Sequence, residues 1–303
     1  NRGRRLNQIP GRRRDWIQWG FVGPALLLLI AMNVFPLIYS IVLSFTNADL
    51  VGGEWKFVGG LNYKFIFKFA KYGQALRTTA LFVLLAVSAE LVLGFGLALA
   101  LLERFRGKTL VLTALMVPMM LPQAVIALFW KLVLNGNYGI FNQLLAGLGF
   151  RQPQWITDPD LKLLSVLLVD VWMWTPFMML ISLAALNAIP GYIYEAAAID
   201  RASRWRIFRR ITLPMCTPLL GLAVLLRATD ALKQFDLVMA ITGPNDPATQ
   251  TLSALLYQAV FRDGKVGLGT AYSYVILVLV IALASIFLRY MDSLQAQQEE
   301  VAR

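Results

Sequence analysis

Two apolar runs carry polar residues that could handle a solute. Arg227, Asp230, Lys233, Gln234 and Asp236 fall in one, and Asp170, Trp172 and Trp174 in the other. Polar side chains at membrane depth are costly and face a cavity or a partner. The i, i+3, i+7 spacing of Arg227, Asp230 and Gln234 puts them on one helical face, and Asp170 and Trp174, four apart, share another. Carboxylates and amides bond sugar hydroxyls, and indole faces cover sugar C–H surfaces, so the set suits a polyhydroxylated solute. A plainer reading is also open. Arg227 could pair with Asp230 within the helix and Lys233 with Asp236, while the two tryptophans pack in a core.

Several other chemistries are missing. There is no histidine, which removes the usual zinc site, the Ser–His–Asp triad and the commonest general base. Cys216 is the only cysteine, so no internal disulfide or cysteine–histidine metal cluster is possible. No G-x-x-x-x-G-K-[ST] pattern occurs: Gly107-Lys108-Thr109 lacks the upstream glycine, and Gly264-Lys265 lacks both that glycine and the following Ser/Thr. The chain is expected not to be an enzyme and to carry no cofactor or metal of its own.

A second candidate lies between the two apolar runs. Ile189-Pro190-Gly191 ends the preceding helix, and 192–199 has good helix formers. The stretch 204–211 predicts a second short helix, with Trp205, Phe208 and Ile211 on one stripe and Arg204, Arg206, Arg209 and Arg210 on the other faces. Leu213-Pro214 is expected to close it. The physics allows two uses of this helix–turn–helix shelf, an amphipathic loop lying on anionic lipid or a docking surface for a cytosolic partner.

These residues need a membrane to frame them. Of 303 residues, 58% are hydrophobic and 15% charged, against about 25% charged in an average soluble domain. Crossing the hydrocarbon core takes about 20 mainly apolar residues. Runs at 21–43, 79–102, 109–134, 163–186, 218–241 and 268–288 meet that length, predicting an all-α polytopic protein of about six transmembrane helices. Residues 1–15 read as a basic tail, 16–290 as the membrane domain and 291–303 as a second tail. The net charge of +11 is concentrated at 2–14, 104–108 and 201–210, so the positive-inside rule places these segments and both termini in the cytoplasm. Trp16, Trp19, Trp55, Trp130 and Trp155 fall near span ends or loops, as interfacial anchors or as packing residues. Pro118 and Pro122 predict a kink in the third span.

The shelf also resembles a known family. Glu195-Ala196-Ala197, then Asp200-Arg201, Phe208 and Ile211-Thr212-Leu213-Pro214, follow the spacing of the EAA loop in permeases of binding-protein-dependent ABC importers. Gly60-Leu61-Asn62-Tyr63, Thr175-Pro176-Phe177, Phe235-Asp236, Thr242-Gly243-Pro244 and Thr249-Gln250-Thr251-Leu252 extend the likeness over about 20–290, closest to carbohydrate-uptake permeases. The resemblance implies the type I permease fold and a bacterial cytoplasmic-membrane location. It also implies that Glu195, Ala196, Ala197, Asp200, Arg201, Phe208, Leu213 and Pro214 couple to the ATPase. The partners it implies are a second permease subunit, two ATPase subunits that bind ATP and Mg, an extracytoplasmic solute-binding protein and membrane lipid, with no nucleic acid. Arg201 departs from the pattern, because the family has glycine there. Either this turn uses negative φ or it is built differently. A stand-alone secondary transporter is the alternative; it would need its own coupling-ion site and no such loop. A membrane enzyme would need a surface catalytic cluster, and none is visible.

Overall fold

A computed structural model describes residues 11–52, 54–103 and 105–301, with side chains described from 19 to 293. The basic residues at 1–10, Arg104, Arg303 and the side chain of Trp16 lie outside these. Among the described residues the regular structure is helical, apart from a single bridge between Thr46 and Phe57. In order the helices are α1 (Gly11–Ser44), α2 (Leu61–Lys68), α3 (Ala70–Ala100), α4 (Lys108–Met116), α5 (Gln123–Val133), α6 (Ile140–Gly147) and α7 (Pro159–Asn187). They continue with α8 (Gly191–Ile199), α9 (Arg204–Ile207), α10 (Leu213–Ala231), α11 (Asp236–Ile241), α12 (Leu252–Tyr257) and α13 (Val266–Val301).

Five stretches are long and apolar enough to cross a membrane: Trp19–Ser44, Ala70–Ala100, Pro159–Asn187, Arg204–Ala231 and Val266–Ser293. The run expected at 109–134 is not one helix. α4 and α5 are separated by a 3-10 turn at Pro118–Met120. Pro118 and Pro122 each lack the N–H that would continue the ladder, so the predicted kink is a break.

The run expected at 218–241 is also different. Its helix begins further upstream, at Arg204, stops at Ala231, and resumes as α11. At the break the side chain of Gln234 takes over a backbone partner, with Oε1 accepting from the Phe235 N–H at 2.9 Å. Thr251 Oγ1 donates to the Gln234 carbonyl at 2.9 Å. With its polar groups met in this way, a non-helical turn can sit among buried helices.

The centre is the seam between α3 and α7. Gly94 makes it possible, because a Cβ there would lie 2.6 Å from Met178 Cβ and 2.7 Å from the Met179 nitrogen. α10 packs on both helices, and α13 closes the other side against α1, α10 and α12. From Trp19 to Val42 α1 is mostly exposed, as suits a helix facing lipid. Asn62 and Tyr63 from the Gly60–Tyr63 element fasten its end. Asn62 Nδ2 donates to the carbonyls of Ser44 and Thr46, both at 2.8 Å, and the Tyr63 hydroxyl lies 2.8 Å from Ser44 Oγ. The 242–251 loop is stitched by Thr242 to Thr249 at 2.6 Å and by Gln250 Nε2 to the Pro244 carbonyl at 2.8 Å. Of the tryptophans at span ends, Trp19 and Trp55 are exposed. Trp155 instead packs on Phe141 and donates to Asn142 Oδ1 at 2.8 Å.

Candidate functional site

The shelf is built as two short helices, but its second half is not a separate unit. Pro190 supplies an extended residue before α8. Glu195 and Ala196 are exposed and Ala197 is buried. Among the described residues Glu195 has no ion pair, so its carboxylate is free for a partner. α8 ends in a Schellman motif: the Ala202 N–H reaches the Ala197 carbonyl and the Arg201 N–H reaches the Ala198 carbonyl, both at 3.0 Å.

That motif needs a left-handed residue, and Arg201 provides it with φ 50°, the only non-glycine with positive φ among the described residues. The turn therefore neither uses negative φ nor abandons the glycine geometry. The two backbone bonds offset a strain of about 1 kcal/mol. Ser203 then caps α9, accepting from the Arg206 N–H at 3.3 Å.

Leu213-Pro214 does not close the second helix. α9 passes through a π-helical turn at Phe208–Thr212 straight into α10. Pro214 lies just after the π-turn, inside a helix that runs on from Arg204, so its missing N–H falls within the ladder. Of the predicted stripe, Trp205 is exposed while Phe208 and Ile211 are half-buried. Phe208 stacks on Trp205 at 5.6 Å and meets Phe95 of α3 at 6.1 Å. A shallow groove of about 430 Å³ runs between α8 and α9, past Ala196, Asp200 and Arg206.

The polar residues at membrane depth separate into two groups. The first is a closed knot around Arg227, which is 2% exposed. Its Nη2 donates to Glu90 Oε1 at 3.0 Å and to Asp170 Oδ2. Its Nε lies 2.9 Å from Glu90 Oε2, close enough for charge pairing although the N–H is not aligned for a hydrogen bond. Nη1 is 3.4 Å from Asp230, and the guanidinium carbon stands 4.9 Å from the centre of the Trp174 ring. Gln234 Nε2 donates to Asp170 Oδ1 at 2.9 Å.

Helices α3, α7 and α10 and the break after α10 are thus joined by side chains that almost no solvent touches. Buried charges persist only when paired and hydrogen-bonded on several sides, and losing one partner leaves the others uncompensated. Arg227, Asp170, Gln234 and Trp174 do come together as their spacing suggests, in a structural joint rather than an open wall.

The second group is exposed. Asp230, Lys233 and Asp236 lie on the open side of the break. Among the described residues Lys233 and Asp236 make no ion pair, so the expected pairing between them is absent. The expected Arg227–Asp230 contact exists at 3.4 Å but is the loosest of the ion pairs around Arg227. Trp172 belongs to neither group. It packs edge-on against Trp130 at 5.4 Å and lines a mainly apolar groove of about 620 Å³ between α3, α4, α5 and α7.

Glu90 escaped the sequence reading. The signal was present: a lone carboxylate inside the apolar run at 79–102 demands a buried cation.

Comparison with known proteins places this architecture. Residues 90–297 match the family described as binding-protein-dependent transport system inner membrane component. The trehalose/maltose transport system permease protein MalF of Thermococcus litoralis is 34% identical over 266 residues, covering 88% of this chain and 90% of that one. The trehalose transport system permease protein SugA of Mycobacterium tuberculosis is 34% identical over 269 residues, covering 88% and 86%. Among solved structures, a chain of a bacterial ABC transporter involved in the import of the acidic polysaccharide alginate superposes with a TM-score of 0.82 at 20% identity, over 93% of this chain and 96% of that one. An EAA-type loop, a broken-helix core and a match across more than half of the sequence agree: the chain belongs to the family of binding-protein-dependent transport system inner membrane components.

Proposed function

We propose that this permease forms half of the translocation pathway for a sugar or sugar-like solute and is driven by ATP hydrolysis in a separate subunit. One observation carries the coupling part. α8 presents the unpaired Glu195 outward and rests on the root of α10, a helix continuous to membrane depth. A load on α8 therefore has a direct path to the break where Asp230, Lys233 and Asp236 are exposed. Glu195, Ala196, Asp200 and Arg201 form the docking surface, Ala197 is buried beneath it, and Phe208, Leu213 and Pro214 join it to α10. Two carboxylates and an ammonium at an exposed break suit hydroxyl-rich solutes, and relatives named for trehalose and maltose support that class.

The assembly contains a second, different permease subunit, two ATPase subunits that hold ATP and Mg, an extracytoplasmic solute-binding protein and surrounding lipid. Both termini are cytoplasmic, because that orientation puts the arginines of α9 and its π-turn on the cytoplasmic side. The test is purification of the tagged chain in mild detergent, followed by ATPase assay. Recovery of a second permease and an ATPase, stimulated by a solute-binding protein, supports this function. A lone chain that transports without ATP would replace it with a secondary transporter.

A further inference from the structure

α8 and the root of α10 are joined by one polar contact between side chains. The Tyr194 hydroxyl, on the residue preceding Glu195, lies 3.1 Å from Thr212 Oγ1. Thr212 is buried and ends the π-turn. Thr79, Thr113, Thr175 and Thr217 all donate to the carbonyl four residues back in their own helices. Thr212 reaches across to a different element instead.

The helix at that point is soft. A π-turn has poorer ladder geometry than an α-helix and recurs at functional sites. Pro218, inside α10, has no N–H to offer the carbonyl four residues back. The ladder is thus weakened between 208 and 218. At 227 the same helix is held by Glu90 and Asp170. α8 cannot slide away from this root, since Ile193 and Tyr194 pack on the cluster that contains Cys216, Leu220 and Ile189.

We propose that Tyr194 and Thr212 are positioning residues for energy coupling: the hydrogen bond between them delivers a displacement of α8 to the root of α10, which bends at 208–218 below the anchor at Arg227. The proposal rests on the reading of α8 as the docking helix for the ATPase.

The experiment uses the whole complex in lipid vesicles. Tyr194→Phe, Thr212→Val, Thr212→Ser and the double variant Tyr194→Phe/Thr212→Val are compared with the unmodified chain. Solute taken up, ATP hydrolysed, ATPase subunit retained and unfolding temperature are measured on each preparation. Retention and unfolding temperature are expected to stay at the unmodified level. Solute moved per ATP should fall about two- to tenfold in Tyr194→Phe and Thr212→Val, the range set by one net hydrogen bond. Thr212→Ser should restore the ratio, and the double variant should fall no further than the worse single one.

An unchanged ratio in both single variants overturns the proposal. So do losses that add in the double variant, or that follow loss of bound ATPase. If Tyr194→Phe lowers the unfolding temperature, the contrast between Thr212→Val and Thr212→Ser decides. Failure of the unmodified chain to retain any ATPase would overturn the docking reading itself, whereas retention with unchanged ratios removes only the Tyr194–Thr212 assignment.

Discussion

The shelf and the Arg227 knot use charge in opposite ways. On the shelf, Glu195, Asp200 and the arginines of α9 and its π-turn are solvent-exposed and unpaired among the described residues. In the knot, every formal charge except that of Asp230 is buried and held by at least one other element. Exposed, uncommitted charges can be claimed by a partner and cost the fold little when altered. Buried, fully committed charges have nothing left to offer a ligand, and each depends on the rest. Under the function proposed above, roles in the transport cycle fall on the first surface, while the second ties the helices of the bundle together.

That division can be broken from either side. Arg227→Met should have the largest effect, because it strands Glu90 and Asp170 without a cation; loss of about 3–5 kcal/mol should appear as a collapse of monodisperse yield and unfolding temperature in detergent. Recovery of well-folded protein would mean the knot is not the joint. Gly94→Ala comes next. Its new methyl would meet the Met178 and Met179 backbone, so a loss of about 1–3 kcal/mol is expected, read in the same thermal assay.

Glu195→Lys should leave the unfolding temperature unchanged while uptake falls by about tenfold or more, the loss of one charged contact; parallel uptake and melting measurements check it. Gln234→Leu and Asp230→Asn sharpen the boundary. The first should lower stability, and the second should change uptake with little change in melting. Equal stability losses would place Asp230 inside the knot. The smallest effect is a gain. Arg201→Gly should relieve the left-handed strain and raise stability by about 1 kcal/mol, seen as a small upward shift in unfolding temperature.

The shelf was legible because its signals are local. A proline-glycine stop, an alanine-rich turn of helix and an arginine-flanked stripe all fall within twenty-odd consecutive residues. The knot was only half legible. Asp170 and Trp174 share a face by spacing, but no periodicity shows that Glu90, 137 residues before Arg227, closes the same cage. The two broken helices mark a further limit. Length and apolarity describe 109–134 and 218–241 as spans, whereas the breaks depend on prolines and on Gln234 finding Thr251 across the bundle. Arg201 failed for a different reason. An arginine disfavours positive φ, so a negative φ or a differently built turn was expected, but the fold keeps φ at 50° and holds the arginine there through two backbone bonds.

The order in which the knot's members leave the ribosome has its own consequence. Glu90 and Asp170 both precede Arg227 in the chain, and a carboxylate at the centre of an inserted helix is unfavourable by about 2.5–3.5 kcal/mol. During synthesis α3 and α7 precede α10, which brings the cation that pairs with both acids. A product truncated before residue 227 would carry both carboxylates without this partner.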